Sequence, residues 1–184
     1  MRVFLGTSIP PTISTELAGR LTTVLEQPNW RITPLEQWHV TALFLGERPL
    51  EALPIIEQAA VKQAGNFGPI ALKAGRLVTM PKVDPTMLWI RFQPNEDLTA
   101  LHLALAAATG SEASVYRPYW PHITLARKAQ RRVDAIDGDI VIPELVLGEL
   151  TLFRSSPSSK GSIHDPVGSW RFTGKDRAAP LEEG

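Results

Sequence analysis

The chain has no cysteine among its 184 residues. Disulfide bonds, thiolate zinc sites and cysteine nucleophiles are therefore excluded, and the composition suits a reducing compartment. An excess of charge of either sign is also missing, since 19 Lys and Arg residues balance 19 Asp and Glu residues. Without net charge no global field draws the chain onto nucleic acid or an anionic membrane, so any recognition of a polyanion has to be local.

Long apolar runs are absent as well. The first apolar run, in "MRVFLGTSIPP", is stopped by two prolines and is too short for a signal sequence or a membrane span. Hydrophobic residues nevertheless make up 43% of the chain, which is enough for one substantial core. We therefore expect a cytoplasmic protein that folds as a monomer and has no membrane partner.

Strand and helix patterns alternate along the chain. Apolar spacing predicts helices over about 12–26 and 50–63, and a third between an Asn95 N-cap and a Gly110 C-cap. The predicted strands are "RVFLGTSI", "WHVTALFLG", "PIALKAGRLVTM", "TMLWIRFQ", "WPHITLAR", "ELVLGELTLFRS" and "GSWRFTG". This order, with hairpins between the helices, favours an α+β fold with antiparallel sheets.

The remaining segments are predicted to be irregular. The Ser-, Gly- and Pro-rich stretch 156–168 is expected to form a mobile loop, and "RKAQRRVDAIDGD" a polar connection. We expect one domain over residues 1–174 and a flexible tail over 175–184.

A His-x-Thr pattern occurs on two of the predicted strands. Side chains alternate along a strand, so His39 and Thr41 share one face while Val40, Ala42 and Phe44 take the other. In the second copy, His122 and Thr124 likewise face away from Ile123 and Leu125. One copy alone is explained as a hydrogen-bonded histidine at a strand edge, but two copies with similar flanks indicate a weak internal duplication and a shared site.

These residue types suit a phosphate. A hydroxyl donates to a phosphate oxygen, and an imidazole with an ordinary pKa of about 6.5 takes or gives a proton near neutral pH. Two imidazoles on opposite sides of one phosphorus would serve an in-line displacement, one activating water and the other protonating the leaving oxygen.

The two stretches "NWRITPLEQWHVTALFLGE" and "YWPHITLAR" resemble the paired signatures of the two-histidine phosphoesterases, specifically the RNA 2′,3′-cyclic phosphodiesterases formerly called 2′-5′ RNA ligases. The resemblance covers nearly the whole chain. It implies a bilobal fold in which two pseudo-symmetric antiparallel sheets face a central cleft, with the helices outside, and no metal or other cofactor. It also implies hydrolysis of a terminal 2′,3′-cyclic phosphate, on an RNA 3′ end or a nucleotide, to a 2′-phosphate.

The same resemblance implies roles for single residues. His39 would donate a proton to the leaving oxygen, His122 would accept one from water, and Thr41 and Thr124 would hold the phosphate. Ligation through a 2′-5′ bond would be the reverse reaction. Alternative hypotheses are a related phosphodiesterase acting on a 2′-5′ oligonucleotide or ADP-ribose cyclic phosphate, and a non-catalytic module that binds RNA ends.

Arg127 is a further phosphate-binding candidate, but the alternation of side chains along the strand is unfavourable to it. It lies five residues after His122, so an unbroken strand turns it away from the cleft unless a bulge intervenes. The basic residues around it suit either an RNA backbone or a solvated loop; they are Arg117, Arg127, Lys128, Arg131 and Arg132.

Other aromatic and histidine residues are interpreted mainly as structural. The aromatic residues beside the motifs are expected in the core, with base stacking as the alternative; they are Trp38, Phe44, Tyr119 and Trp120. His102 shares a helical face with leucines and is expected to be buried. His164 is expected on the surface, where it would reach a ligand only if its loop covered the cleft. Relatives often carry an aromatic residue in that loop, which this chain lacks at "SIHDP".

Overall fold

A computed structural model describes residues 1–73, 75–114, 119–129, 133–142, 144–158 and 161–174. The strands are β1 (Arg2–Ser8), β2 (Trp30–Ile32), β3 (His39–Glu47), β4 (Ile70–Leu72), β5 (Arg76–Met80), β6 (Met87–Arg91), β7 (His122–Lys128), β8 (Asp137–Asp139), β9 (Leu145–Leu147), β10 (Glu149–Ser158) and β11 (Gly161–Arg171). The α-helices are α1 (Pro11–Arg20), α2 (Thr22–Leu25), α3 (Leu53–Asn66) and α4 (Glu96–Thr109). Short 3₁₀ turns precede β3 and α3, at Leu35–Gln37 and Leu50–Ala52. The predicted tail, 175–184, lies outside the described residues.

Two antiparallel halves make up the large sheet, as the predicted α+β fold requires. Its strand order is β11-β10-β1-β3-β7-β6-β5-β8, with β2 also paired to β7. Strands β3 and β7 meet at one residue pair only, Val40 with Ile123. The first half is therefore β11-β10-β1-β3 and the second is β7-β6-β5-β8, with the two histidine strands side by side at the join. A separate two-stranded sheet pairs β4 with β9.

Helices α3 and α4 pack against strands of the first half. Helix α4 packs against β3, and α3 packs against α4, β10 and β11. One continuous cluster of buried side chains includes leucines of α4 and of both histidine strands. None of the helices in the described part of the chain is long and apolar enough to cross a membrane.

Helix α4 begins and ends where local chemistry predicts. The Asn95 side-chain oxygen accepts a hydrogen bond from the Leu98 N–H at 2.8 Å, and Gly110 adopts a left-handed conformation with φ of 61°. The first predicted helix is instead interrupted at Leu21, which divides it into α1 and α2. The second starts as a 3₁₀ turn and continues to Asn66.

The predicted mobile loop at 156–168 is wrong. Strands β10 and β11 run through this stretch as one long antiparallel hairpin, paired from Glu149 with Arg171 to Ser158 with Gly161. Local Ser, Gly and Pro content indicated a loop, but the cross-strand pairing of the hairpin stabilises strand structure despite that composition. Three other predictions also need correction. The predicted strands at 69–80 and 144–155 each contain two strands that belong to different sheets, and the polar connection after β7 contains β8.

Gly6 allows β1 to pass close to the backbone of β3. A Cβ atom added there would meet the Val40 carbonyl oxygen at 2.7 Å, and Val40 is the residue that joins the two halves. Any larger side chain would therefore push β3 away from β1 at the position that sets the spacing of the two histidine strands.

We expect Gly6→Ala to lower the free energy of unfolding by about 1–3 kcal/mol through this overpacking. The matched control is Gly19→Ala, because Gly19 lies in α1 with nothing within 4 Å of the added Cβ. There the helix propensity of alanine should raise stability by about 0.5–1 kcal/mol. Denaturant unfolding measures both, and a Gly6→Ala protein as stable as wild type would contradict the close approach.

Candidate active site

A cleft at the join of the two halves brings the predicted site residues together. His39, Thr41, His122, Thr124 and Arg127 all line it. Every lining residue in the described part of the chain belongs to a strand or to the short segment that precedes β3, so the helices lie outside the cleft. The cleft holds about 180 Å³, which is less than the ~300–1,000 Å³ of pockets that enclose a drug-sized ligand. It suits the end of a chain better than a whole oligonucleotide.

A β-bulge follows the His-x-Thr pattern in each histidine strand. In β3 the pairing with β1 passes from Thr41 opposite Gly6 to Leu43 opposite Leu5, which leaves Ala42 as the extra residue. In β7 the pairing with β6 passes from Thr124 opposite Trp89 to Ala126 opposite Leu88, which leaves Leu125 extra. The two bulges occupy equivalent positions, three residues after each histidine.

The bulges reverse the alternation of side chains beyond them. Arg127 therefore faces the cleft with His122 and Thr124, although simple alternation turns it away. Phe44 occupies the equivalent position in β3 and also lines the cleft, with 63% of its surface exposed. The prediction that Phe44 takes the opposite face from His39 is wrong for this reason.

Both imidazoles are oriented by a backbone carbonyl two residues before them. His39 Nδ1 lies 2.8 Å from the Gln37 carbonyl oxygen, and His122 Nδ1 lies 3.2 Å from the Trp120 carbonyl oxygen. A carbonyl only accepts hydrogen bonds, so each Nδ1 carries a proton and donates it. Nε2 is then the nitrogen available for proton transfer in both residues.

Aromatic rings from the neighbouring strands pack on both imidazoles. The Trp89 ring stacks on His122 with centroids 4.0 Å apart, and the Phe4 ring lies 4.8 Å from His39. Burial lowers the pKa of His122 and lowers that of His39 to about 4, the latter with added repulsion from His164 and His122 when they are protonated and from Arg127. Both imidazoles are therefore neutral at pH 7.

The hairpin β10–β11 closes the His39 side of the cleft. The His164 ring meets the His39 ring edge-on at 5.1 Å, so the expectation of a surface histidine is wrong. Gln37 clamps this contact, because its side-chain oxygen accepts a hydrogen bond from the His164 N–H at 2.6 Å and its amide donates to the His164 carbonyl at 3.4 Å. Burial also lowers the pKa of His164.

Behind β3 two side chains bind the carbonyl groups at the bulge. His102 Nδ1 donates to the Ala42 carbonyl oxygen at 2.7 Å, and the Tyr119 hydroxyl donates to the Thr41 carbonyl oxygen at 2.7 Å. His102 Nε2 accepts from the Ser114 N–H at 2.9 Å, so both ring nitrogens have a backbone partner. The predicted structural role of the buried His102 is confirmed, and burial raises the pKa of Tyr119 to about 12.

The remaining candidates differ in position. Trp38 is buried and its indole N–H donates to the Thr33 carbonyl, while Trp120 lies outside the cleft beneath Arg91. In the basic run, Lys128 pairs with Asp84. Three other members lie outside the described residues, namely Arg117, Arg131 and Arg132.

Several residues that shape the site were not predicted from the sequence, notably Phe4, Trp89, Gln37 and Arg31. Arg31 and Gln37 lie within the stretch that carries the first resemblance, so the flanks of that motif hold a signal beyond His-x-Thr. The described residues contain no group of three or more His, Asp or Glu side chains that would hold a metal ion.

The lowered pKa of His39 makes the fold acid-sensitive. Unfolded His39 has a pKa near 6.5 and folded His39 one of about 4, so unfolding takes up a proton between these pH values and stability falls as the pH drops through them. We expect wild type to lose up to about 3 kcal/mol more than His39→Gln between pH 7 and pH 4. Denaturant unfolding at the two pH values measures the difference, and equal losses would contradict the lowered pKa.

Comparison with known proteins agrees with this arrangement. Two relatives named RNA 2′,3′-cyclic phosphodiesterase are similar to the chain: one from Thermus thermophilus is 30% identical over 70% of this chain and 69% of its own length, and one from Bacillus subtilis is 29% identical over 68% and 70%. The crystal structure of TT0787, also from Thermus thermophilus, matches with a TM-score of 0.81 at 25% identity, covering 95% of this chain and 100% of that one. The family model of the 2′-5′ RNA ligase superfamily matches residues 9–152. The chain therefore belongs to the 2′-5′ RNA ligase superfamily, the two-histidine phosphoesterases.

Proposed function

We propose that this protein hydrolyses the 2′,3′-cyclic phosphate at an RNA 3′ end, or on a nucleotide, to a 2′-phosphate. The observation that carries the proposal is the pair of equivalent imidazoles, each held by a carbonyl so that Nε2 is free, lining one cleft with two threonines and Arg127. The names of the two relatives support the same reaction.

In the proposed reaction water attacks the phosphorus opposite the O3′ oxygen. His122 Nε2 accepts a proton from the water as the new P–O bond forms. His39 Nε2 donates a proton to O3′ as the P–O3′ bond breaks, which leaves the phosphate on O2′ and a hydroxyl on C3′. General acid–base catalysis of this kind contributes about 10²–10⁴-fold to a rate.

A bound phosphate anion favours the protonated form of His39, which is the form that can act as an acid. His122 is already neutral at pH 7, as a base has to be. His39 is neutral too, because its pKa is about 4. A phosphate anion beside it stabilises the imidazolium and raises that pKa, so substrate binding and protonation of His39 are coupled.

Thr41, Thr124 and Arg127 hold the phosphate in this proposal. The two hydroxyls donate from opposite halves of the join, and the guanidinium forms charge-assisted hydrogen bonds with the non-bridging oxygens. Phe44 lines the same cleft with an exposed ring. If a base stacked on that ring, the attached ribose and phosphate would point toward the histidines.

Neither a metal ion nor another cofactor takes part in the proposed reaction. The imidazoles provide acid and base, and the threonines and Arg127 provide charge stabilisation. Ligation through a 2′-5′ bond would use the same displacement with an RNA 5′-hydroxyl in place of water: His122 accepts the hydroxyl proton, the P–O5′ bond forms, and the P–O3′ bond breaks as His39 protonates O3′.

Substitution of either histidine tests the acid–base pair. We expect His39→Gln and His122→Gln each to lower kcat by about 10²–10⁴-fold, since each removes one proton-transfer group. Hydrolysis of adenosine 2′,3′-cyclic phosphate measures the loss, and unfolding curves at pH 7 check that both variants remain folded. Full activity in either folded variant would overturn the assignment.

The product identifies the bond that breaks. We expect phosphorus NMR to show only the 2′-phosphate after hydrolysis of adenosine 2′,3′-cyclic phosphate, because the proton donor serves O3′. The rate should stay within about twofold when a chelator is added, since no proposed step uses a metal. A 3′-phosphate product, or loss of activity that added metal restores, would contradict the mechanism.

A further inference from the structure

Arginine side chains supply the charge that lines the cleft. Arg2, Arg31 and Arg127 line it, and no carboxylate does within the described residues. None of the three forms an ion pair with another described side chain, whereas other arginines such as Arg20 and Arg154 do. The cleft is therefore more positive than one bound phosphate monoanion requires.

Arg31 and Arg127 lie directly opposite each other in the ladder between β2 and β7. Residues in such a position share one face of the sheet, with Cβ atoms about 4.5–5.5 Å apart. Like charges directly opposite are destabilising, and no described carboxylate offsets this pair. Two bound anionic groups, one beside each arginine, would relieve the repulsion, so the arrangement suits a ligand with more than one negative charge.

Arg31 and His39 contact strand β11 at different points. His164 contacts His39 at one point of this strand, and Arg31 reaches the strand at Gly161, where its Nη2 lies 3.7 Å from the position of an added Cβ. Along the backbone of β11 these two points are three residues apart, roughly 10 Å. Arg31 thus lies on the side of the cleft near the hairpin tip, where the next phosphate of a nucleotide chain can approach it.

We propose that Arg31 binds the phosphodiester that joins the terminal nucleotide to the nucleotide before it. The inference rests on the proposed function, because it takes the cyclic phosphate to be held by Thr41, Thr124 and Arg127. The cyclic phosphate then occupies the inner cleft, while the RNA chain leaves past the hairpin tip at Gly161 and Arg31. The site thereby distinguishes the end of an RNA from a free cyclic nucleotide.

Three substrates and the Arg31→Gln variant test this assignment. The substrates are adenosine 2′,3′-cyclic phosphate, the dinucleotide ApA with a terminal 2′,3′-cyclic phosphate, and the same dinucleotide with an uncharged methylphosphonate linkage. For wild type we expect kcat/KM to be about tenfold or more higher on the charged dinucleotide than on the other two. Arg31→Gln should lower kcat/KM on the charged dinucleotide by about 10- to 100-fold, and by less than about threefold on the other two.

The matched control is Arg20→Gln, which removes an arginine whose partner is Glu16 on the surface of α1. This variant should keep the wild-type ratio between the three substrates. Equal losses on all three substrates in Arg31→Gln would place Arg31 at the cyclic phosphate and overturn the inference, as would an unchanged ratio. If wild type hydrolyses none of the substrates, the proposed function itself fails, so the two failures are distinguishable.

Discussion

The site depends on one pairing at the centre of the sheet. Val40 and Ile123 are the only residues that join β3 to β7 in the described ladder, and each stands between a histidine and a threonine. Because neighbouring residues of a strand face opposite sides, burying these two apolar side chains places both histidines and both threonines on the cleft side. A slip of one residue would bury the polar groups and expose the apolar ones, so the core itself sets the register of the active site.

The two bulges extend this constraint from four residues to six. An extra residue after each threonine lets two consecutive apolar side chains enter the core, Ala42 with Leu43 and Leu125 with Ala126. The strand then resumes with the opposite parity, which brings Phe44 and Arg127 to the cleft. In β3 the interrupted ladder leaves carbonyl groups that His102 and Tyr119 satisfy, and the rings of these two residues stack 4.6 Å apart. A structural histidine thus supports the strand that carries His39, the proposed proton donor.

A feature of the fold or the site could be predicted from the sequence only where residues close in the chain determine it. The cap residues of α4 and the alternation of the His-x-Thr pattern act over a few residues, and both were predictable. The parity of Phe44 was not, because a bulge depends on how the paired strand packs. The hairpin strands within 156–168 were not either, since cross-strand pairing of the described residues outweighs their Ser- and Pro-rich sequence. Arg31 and His164 reach the cleft through β2 and β11, whose places in the sheet are set by residues far away in the chain.

The two halves are alike in geometry but differ in their surroundings. His122 meets the ring of Trp89, whereas His39 also has His164, Phe153 and the charge of Arg127 nearby. The added neighbours on the His39 side disfavour its imidazolium by burial or by like charge. In the proposed reaction a bound phosphate has to offset these effects before His39 can act as the acid, and it gives Arg127 an anionic partner at the same time. The two imidazoles are thus equivalent in backbone geometry, but the hairpin β10–β11 closes over only one of them and makes their surroundings unequal.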